Sequence, residues 1–64
     1  MIPVTRFNGS RFVINADLIK YIEETPDTIV TLRDGEKVIV REGADEIIRR
    51  VVDYVRSTRF PPLD

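Results

Sequence analysis

The side chains that could carry chemistry are few in kind. The chain holds no cysteine and no histidine. A proton carrier near neutral pH, a thiolate nucleophile and the commonest nitrogen and sulfur metal ligands are therefore missing, and carboxylates, lysine, hydroxyls and tyrosine are what remain. The acids gather in two places. Glu23, Glu24 and Asp27 surround a turn, where solvation at a loop tip is the ordinary role. Glu42, Asp45 and Glu46 stand where a helix begins and complement the positive end of its dipole. Neither group has the spacing of a calcium loop. The expectation is a protein that is not an enzyme, with no catalytic residue, no metal and no cofactor.

Eight arginines against two lysines are the other chemical signal. A small sheet carrying Arg6, Arg11, Arg33 and Arg41 beside Phe7 or Tyr21 could bind RNA through cations and stacking. Against this, the formal net charge is -1, which gives no basic footprint. No aromatic pair sits at alternate positions of a central strand either. Pairing of arginines with the interspersed acids is favoured over nucleic-acid binding.

Sixty-four residues make one small domain, of a size that buries only about 60% of its unfolded surface. With neither disulfide nor zinc available, oligomerisation is the staple left to it. No apolar run approaches a membrane span, and the N-terminus lacks the pattern of a signal peptide, so a cytoplasmic protein is expected.

Those side chains must be positioned by short strands and one helix. Met1 to Phe7 alternates as a strand, Asn8-Gly9 marks a turn, and Arg11 to Ile14 returns. A two-residue loop would oppose Arg6 and Arg11 and mix faces. The three-residue loop Phe7-Asn8-Gly9, bulged at the glycine, pairs Val4 with Phe12 and Ile2 with Ile14. After Asn15-Ala16-Asp17 the chain turns, with Leu18-Ile19 as an irregular or helical corner. Lys20 to Thr25 can be read as helix, because Leu18, Ile19 and Ile22 have helical spacing. Pro26 and the residues Tyr21, Ile22 and Thr25 favour a strand.

Thr28 to Leu32 and Lys37 to Arg41 form a second bulged hairpin through Arg33-Asp34-Gly35. This register puts Val30, Leu32, Val38 and Val40 on one face, joined by Ile22 if the Pro26 turn spans an odd number of residues. From Ala44 to Val55, the residues Ala44, Ile47, Ile48, Val51, Val52 and Val55 recur at helical spacing as a core-facing stripe. Asp45–Arg49 and Glu46–Arg50 pair along the opposite side. The fold expected is α+β: a small antiparallel meander of five bulge-joined strands with one C-terminal amphipathic helix on one face. Residues 1–58 form the domain and residues 59–64 a short irregular tail. Val13, Tyr21, Ile29 and Ile39 then face away from the helix, more apolar surface than a solvent face needs, which marks an interaction surface. Exposed strand edges offer a second route to association.

The stretches ValThrArgPheAsnGlySer at 4–10, PheValIleAsnAlaAspLeuIle at 12–19, TyrIleGluGluThrProAspThrIleValThrLeu at 21–32 and AspGlyGluLysValIleValArgGlu at 34–42 resemble the FlbD/SwrD-type small flagellar proteins of bacteria. The resemblance covers nearly the whole chain. Gly43 departs from it, standing where serine or threonine is the more familiar helix cap, and the Phe60-Pro61-Pro62 tail lies outside it. It implies a non-enzymatic accessory factor of flagellar motility or swarming, cytoplasmic and acting at the cytoplasmic side of the flagellar base. The implied partner is a motor or basal-body protein, while homo-oligomers through the outward sheet face or a strand edge are what the apolar sheet residues and the small domain size lead one to expect. Of the motif residues, Asn8, Gly9, Pro26 and Gly35 have backbone reasons for their identity. Thr5, Arg6 and Asn15 do not, and they join Val13, Tyr21, Ile29 and Ile39 as candidate contact residues.

Overall fold

A computed structural model describes residues 1–59. It contains the strands β1 (Ile2–Thr5), β2 (Arg11–Ile14), β3 (Ile19–Glu24), β4 (Thr28–Leu32) and β5 (Lys37–Val40), and the helix α1 (Ala44–Arg59). Both expected hairpin registers are present: Ile2 pairs with Ile14 and Val4 with Phe12, and Val30 pairs with Val38.

The two turns share one construction. In each, an Asx side chain accepts from the backbone N–H two residues on, Asn8 from Ser10 at 3.0 Å and Asp34 from Glu36 at 2.9 Å. The glycine that follows takes a positive φ, 95° at Gly9 and 94° at Gly35. Side-chain capping and left-handed backbone at these two steps fix a three-residue loop, and the loop fixes the register. Glu24 pairs with Thr28 across Thr25-Pro26-Asp27, so that loop also has an odd length and Ile22 faces Val30 on the core side.

Lys20 to Thr25 resolves as strand. Between Ile19 and Tyr21 the register with β4 shifts by a bulge at Lys20. The extra residue puts Ile19 and Ile22 on the same side, against the core. Strict alternation would have separated them, and the bulge is why their spacing imitates a helix. The corner before β3 is a single 3-10 turn, Ala16–Leu18, capped by Asn15.

The five strands do not make one continuous sheet. β1–β2 and β3–β4–β5 are separate sheets, and β2 and β3 do not pair. The end of the first strand instead leaves β2 and meets β5. Arg6 forms an isolated bridge with Val40, Arg41 N–H donates to Thr5 O at 2.8 Å, and Phe7 N–H donates to Ile39 O at 3.1 Å. This seam folds the two sheets around one core of Ile2, Val4, Ile14, Val30, Leu32, Val38, Val40 and Ile47.

The helix begins at Ala44 as expected and continues one turn beyond Val55, to Arg59. Arg59 thus belongs to the helix; the remainder of the expected tail, residues 60–64, lies outside the described residues. Gly43 has no side chain to cap with, and Glu24 takes over that role: its carboxylate accepts from Ala44 N–H at 2.6 Å.

The breadth of the core-facing stripe needs correction. Ile47 is fully buried, whereas Ile48 is 50% and Val52 42% exposed. Val51 and Tyr54 are the residues that join Ile47 against the core. The helix is rolled toward β1, because Arg50 on that flank reaches across to Pro3 O at 2.7 Å, and the roll lifts Ile48 and Val52 out. Arg49 pairs with Glu46 and Asp53 rather than with Asp45, while Glu46–Arg50 forms as expected.

This roll predicts an asymmetry between adjacent isoleucines. In chemical denaturation at nanomolar protein concentration, Ile47→Ala is expected to cost about 2–5 kcal/mol, and Ile48→Ala to stay within roughly 0.5 kcal/mol of the parent.

Candidate interaction surface

Two places on the domain could act. One is a polar cleft where β1 meets the start of the helix; the other is the outward side of the three-stranded sheet.

The cleft forms because Glu42 stands two residues past the end of β5, where Arg41 N–H bonds Thr5 O and β1 runs alongside. Its carboxylate accepts from Thr5 N–H and from the Thr5 hydroxyl, both at 2.9 Å, and from Arg50 Nη1 at 3.1 Å. The same Arg50 nitrogen donates to Pro3 O, and Arg50 Nε donates to Glu46 Oε2 at 2.7 Å. Pro3, Val4, Thr5, Arg11, Glu42 and Arg50 line an open cavity of about 250 Å³.

Burial works to raise the Glu42 carboxyl, whose side chain is only 12% exposed. The hydrogen bonds from Thr5 and Arg50 outweigh burial and hold it below its ordinary value. Hydrogen bonds from Arg49 and Arg50 bring Glu46 down to about 2. Thr5, Glu42, Glu46 and Arg50 are thus bonded to one another within the chain. A carboxylate held ionised by such donors is a poor proton shuttle, and the cleft reads as a joint between sheet and helix.

The outward sheet face differs. Across β3, β4 and β5 one row is Tyr21, Thr31 and Lys37 and the next is Glu23, Ile29 and Ile39. Ile29 is half-buried, and Tyr21 and Ile39 are exposed. Thr31, between Tyr21 and Lys37, is buried, and its hydroxyl has no hydrogen-bond partner among the described residues. The Phe7 N–H bond to Ile39 O puts the exposed Phe7 alongside Ile39 and widens the apolar patch.

Of the residues proposed from sequence, the structure therefore brings Tyr21, Ile29 and Ile39 together. Val13 is exposed but belongs to the other sheet, where its cross-strand neighbour is Pro3. Thr5, Arg6 and Asn15 have partners inside the chain. Thr5 binds Glu42, Arg6 stacks over the Phe12 ring at 4.0 Å from its centroid, and Asn15 accepts from Asp17 N–H at 3.0 Å.

Sequence reasoning missed Phe7 as part of the patch and Glu42 and Arg50 as the joint. An aromatic beside Asn8-Gly9 was a usable signal for Phe7. For Glu42 and Arg50 no local signal existed, since their partners lie on β1. Among the described residues no group of acids is placed to hold a metal ion, and no helix is long and apolar enough to cross a membrane.

A family model described as "FlbD: Flagellar and Swarming motility proteins" matches residues 1–58. No curated protein and no solved structure matches the chain.

The joint makes a prediction about acid stability. Because the Glu42 value is lower in the folded than in the unfolded state, its contribution is present above the ordinary carboxylate value of 4.5 and is lost as pH falls through the lowered value. Glu42→Gln is expected to flatten the acid limb of a stability-against-pH curve. Glu42→Ala, which strands the Thr5 and Arg50 donors, is expected to cost about 1–3 kcal/mol at neutral pH by urea titration.

Proposed function

The chain belongs to the FlbD family of flagellar and swarming motility proteins, and we propose that it serves motility as a non-enzymatic accessory protein that binds a motor or basal-body component. In this reading the protein works in the cytoplasm, at the base of the flagellum. Its partner meets the outward face of β3, β4 and β5 at Phe7, Tyr21, Ile29 and Ile39.

The observation that carries the reading is the direct cross-strand pair Ile29–Ile39, flanked by an exposed tyrosine and an exposed phenylalanine. Aromatic and aliphatic side chains in one patch are the usual anchors of a protein interface. Three of the arginines support a protein partner over a nucleic acid: Arg49 and Arg50 are engaged with acids on the helix, and Arg41 Nε donates to Phe7 O at 3.0 Å.

Tyr21→Asp and Ile39→Asp, each as the sole copy in a flagellated host of the protein, are expected to leave abundance and circular dichroism unchanged. Both should reduce swarm expansion and weaken capture of a flagellar-base component by about 2 kcal/mol or more. Wild-type swarming by the double variant would sink the sheet-face reading. Salt-dependent gel shifts of RNA by the wild-type protein would favour the nucleic-acid alternative.

A further inference from the structure

We propose that a second copy of this chain docks on the flank of α1 formed by Ile48, Val52 and Val55, with the two helices antiparallel about a twofold axis. The roll of α1 toward β1 leaves these residues as a strip at i, i+4 and i+7, beside the core-facing residues Ile47, Val51 and Tyr54. Ile48 and Val52 are exposed and Val55 is half-buried. The strip is separate from the outward sheet face and lies on the helix flank opposite the Arg50–Glu42 joint.

Charge identifies the occupant. Asp45 stands at the N-terminal end of the strip and Arg56 at its C-terminal end, on the outer margin of the same flank. Among the described residues, neither enters the ion pairs that occupy Arg49 and Arg50. When Ile48 packs against Val52 of the partner subunit, an antiparallel arrangement brings Asp45 beside Arg56 of the partner subunit. Twofold symmetry forms that pair twice. A parallel arrangement would set like charge against like at both ends. The strip is therefore complementary to itself, in one orientation, and opposed helix dipoles favour the same orientation. A chain of this size has most to gain from a second copy, since its own core is small.

The test is solution mass against concentration, by light scattering or sedimentation, on the full chain. The wild type is expected to approach twice the chain mass between micromolar and millimolar concentration. Val52→Asp should raise the dimer dissociation constant by roughly tenfold or more, because it buries an unpaired charge. Asp45→Arg and Arg56→Asp should each weaken the dimer, and the double variant D45R/R56D should restore it. The charge variants keep the test decisive if Val52→Asp fails to fold. Ile39→Asp, on the sheet, should dimerise like the wild type. A monomer throughout the range, a dimer indifferent to Val52→Asp, no rescue by the double charge reversal, or loss of the dimer on Ile39→Asp would each overturn the proposal.

Discussion

The Glu42 carboxylate sits where three parts of the chain must agree. It receives the N–H and hydroxyl of Thr5 at the end of β1, it follows β5 by two residues, and it holds Arg50 from the second turn of the helix. Through Arg50 it also reaches the Pro3 carbonyl. Apolar burial alone is non-directional and would accept the helix over a range of rotations about its axis. Hydrogen bonds are directional, and those converging on Glu42 and Arg50 choose one rotation. That choice sends Ile47, Val51 and Tyr54 inward and leaves Ile48 and Val52 outside. The helix surface available to other molecules is a consequence of polar contacts on its far side.

The β-hairpins were legible because their determinants are local. Asn8-Gly9 and Asp34-Gly35 set loop length, and alternation of Ile2, Val4, Val30, Val38 and Val40 then leaves one register with a uniform face. The helical span was legible from its apolar period. What could not be read locally was anything set by residues far apart in the chain. The seam joining Arg6 to Val40 and Phe7 to Ile39 depends on how two hairpins fold over one core. The bulge at Lys20 arises from pairing with β4 and made Ile19 and Ile22 look helical. Arg50 carries the pattern of a solvent-facing residue until β1 is placed beside it. Thr5, Arg6 and Asn15 looked available for contact for a similar reason: their partners Glu42, Phe12 and Asp17 emerge only once the seam and the capped 3-10 turn exist.

The domain consequently presents two apolar surfaces of different origin. The sheet face of Tyr21, Ile29 and Ile39, extended by Phe7, follows from strand alternation and hairpin register, so it is fixed by the same turns that fix the fold. The helix flank follows from the roll imposed by the joint. In the polar cleft between β1 and α1, by contrast, Thr5, Glu42 and Arg50 are committed to holding the layers together. Membership of a motility family fits a protein with two apolar surfaces left open, one on the sheet and one on the helix.

The start of the helix carries a last implication, for the order in which structure forms. Gly43 provides no capping side chain, and the donor at Ala44 is satisfied by Glu24, 20 residues earlier in the chain. One turn later the Arg50 guanidinium depends on a carbonyl 47 residues away. An isolated helix of this length is marginal in water even with good local signals. Here two of its polar supports exist only after β1 and the end of β3 are in place. The hairpins can close on their own turns, whereas the helix gains its supports from a sheet already assembled. Its ordering is then a late event in folding, and during synthesis it is also the last of these elements to leave the ribosome.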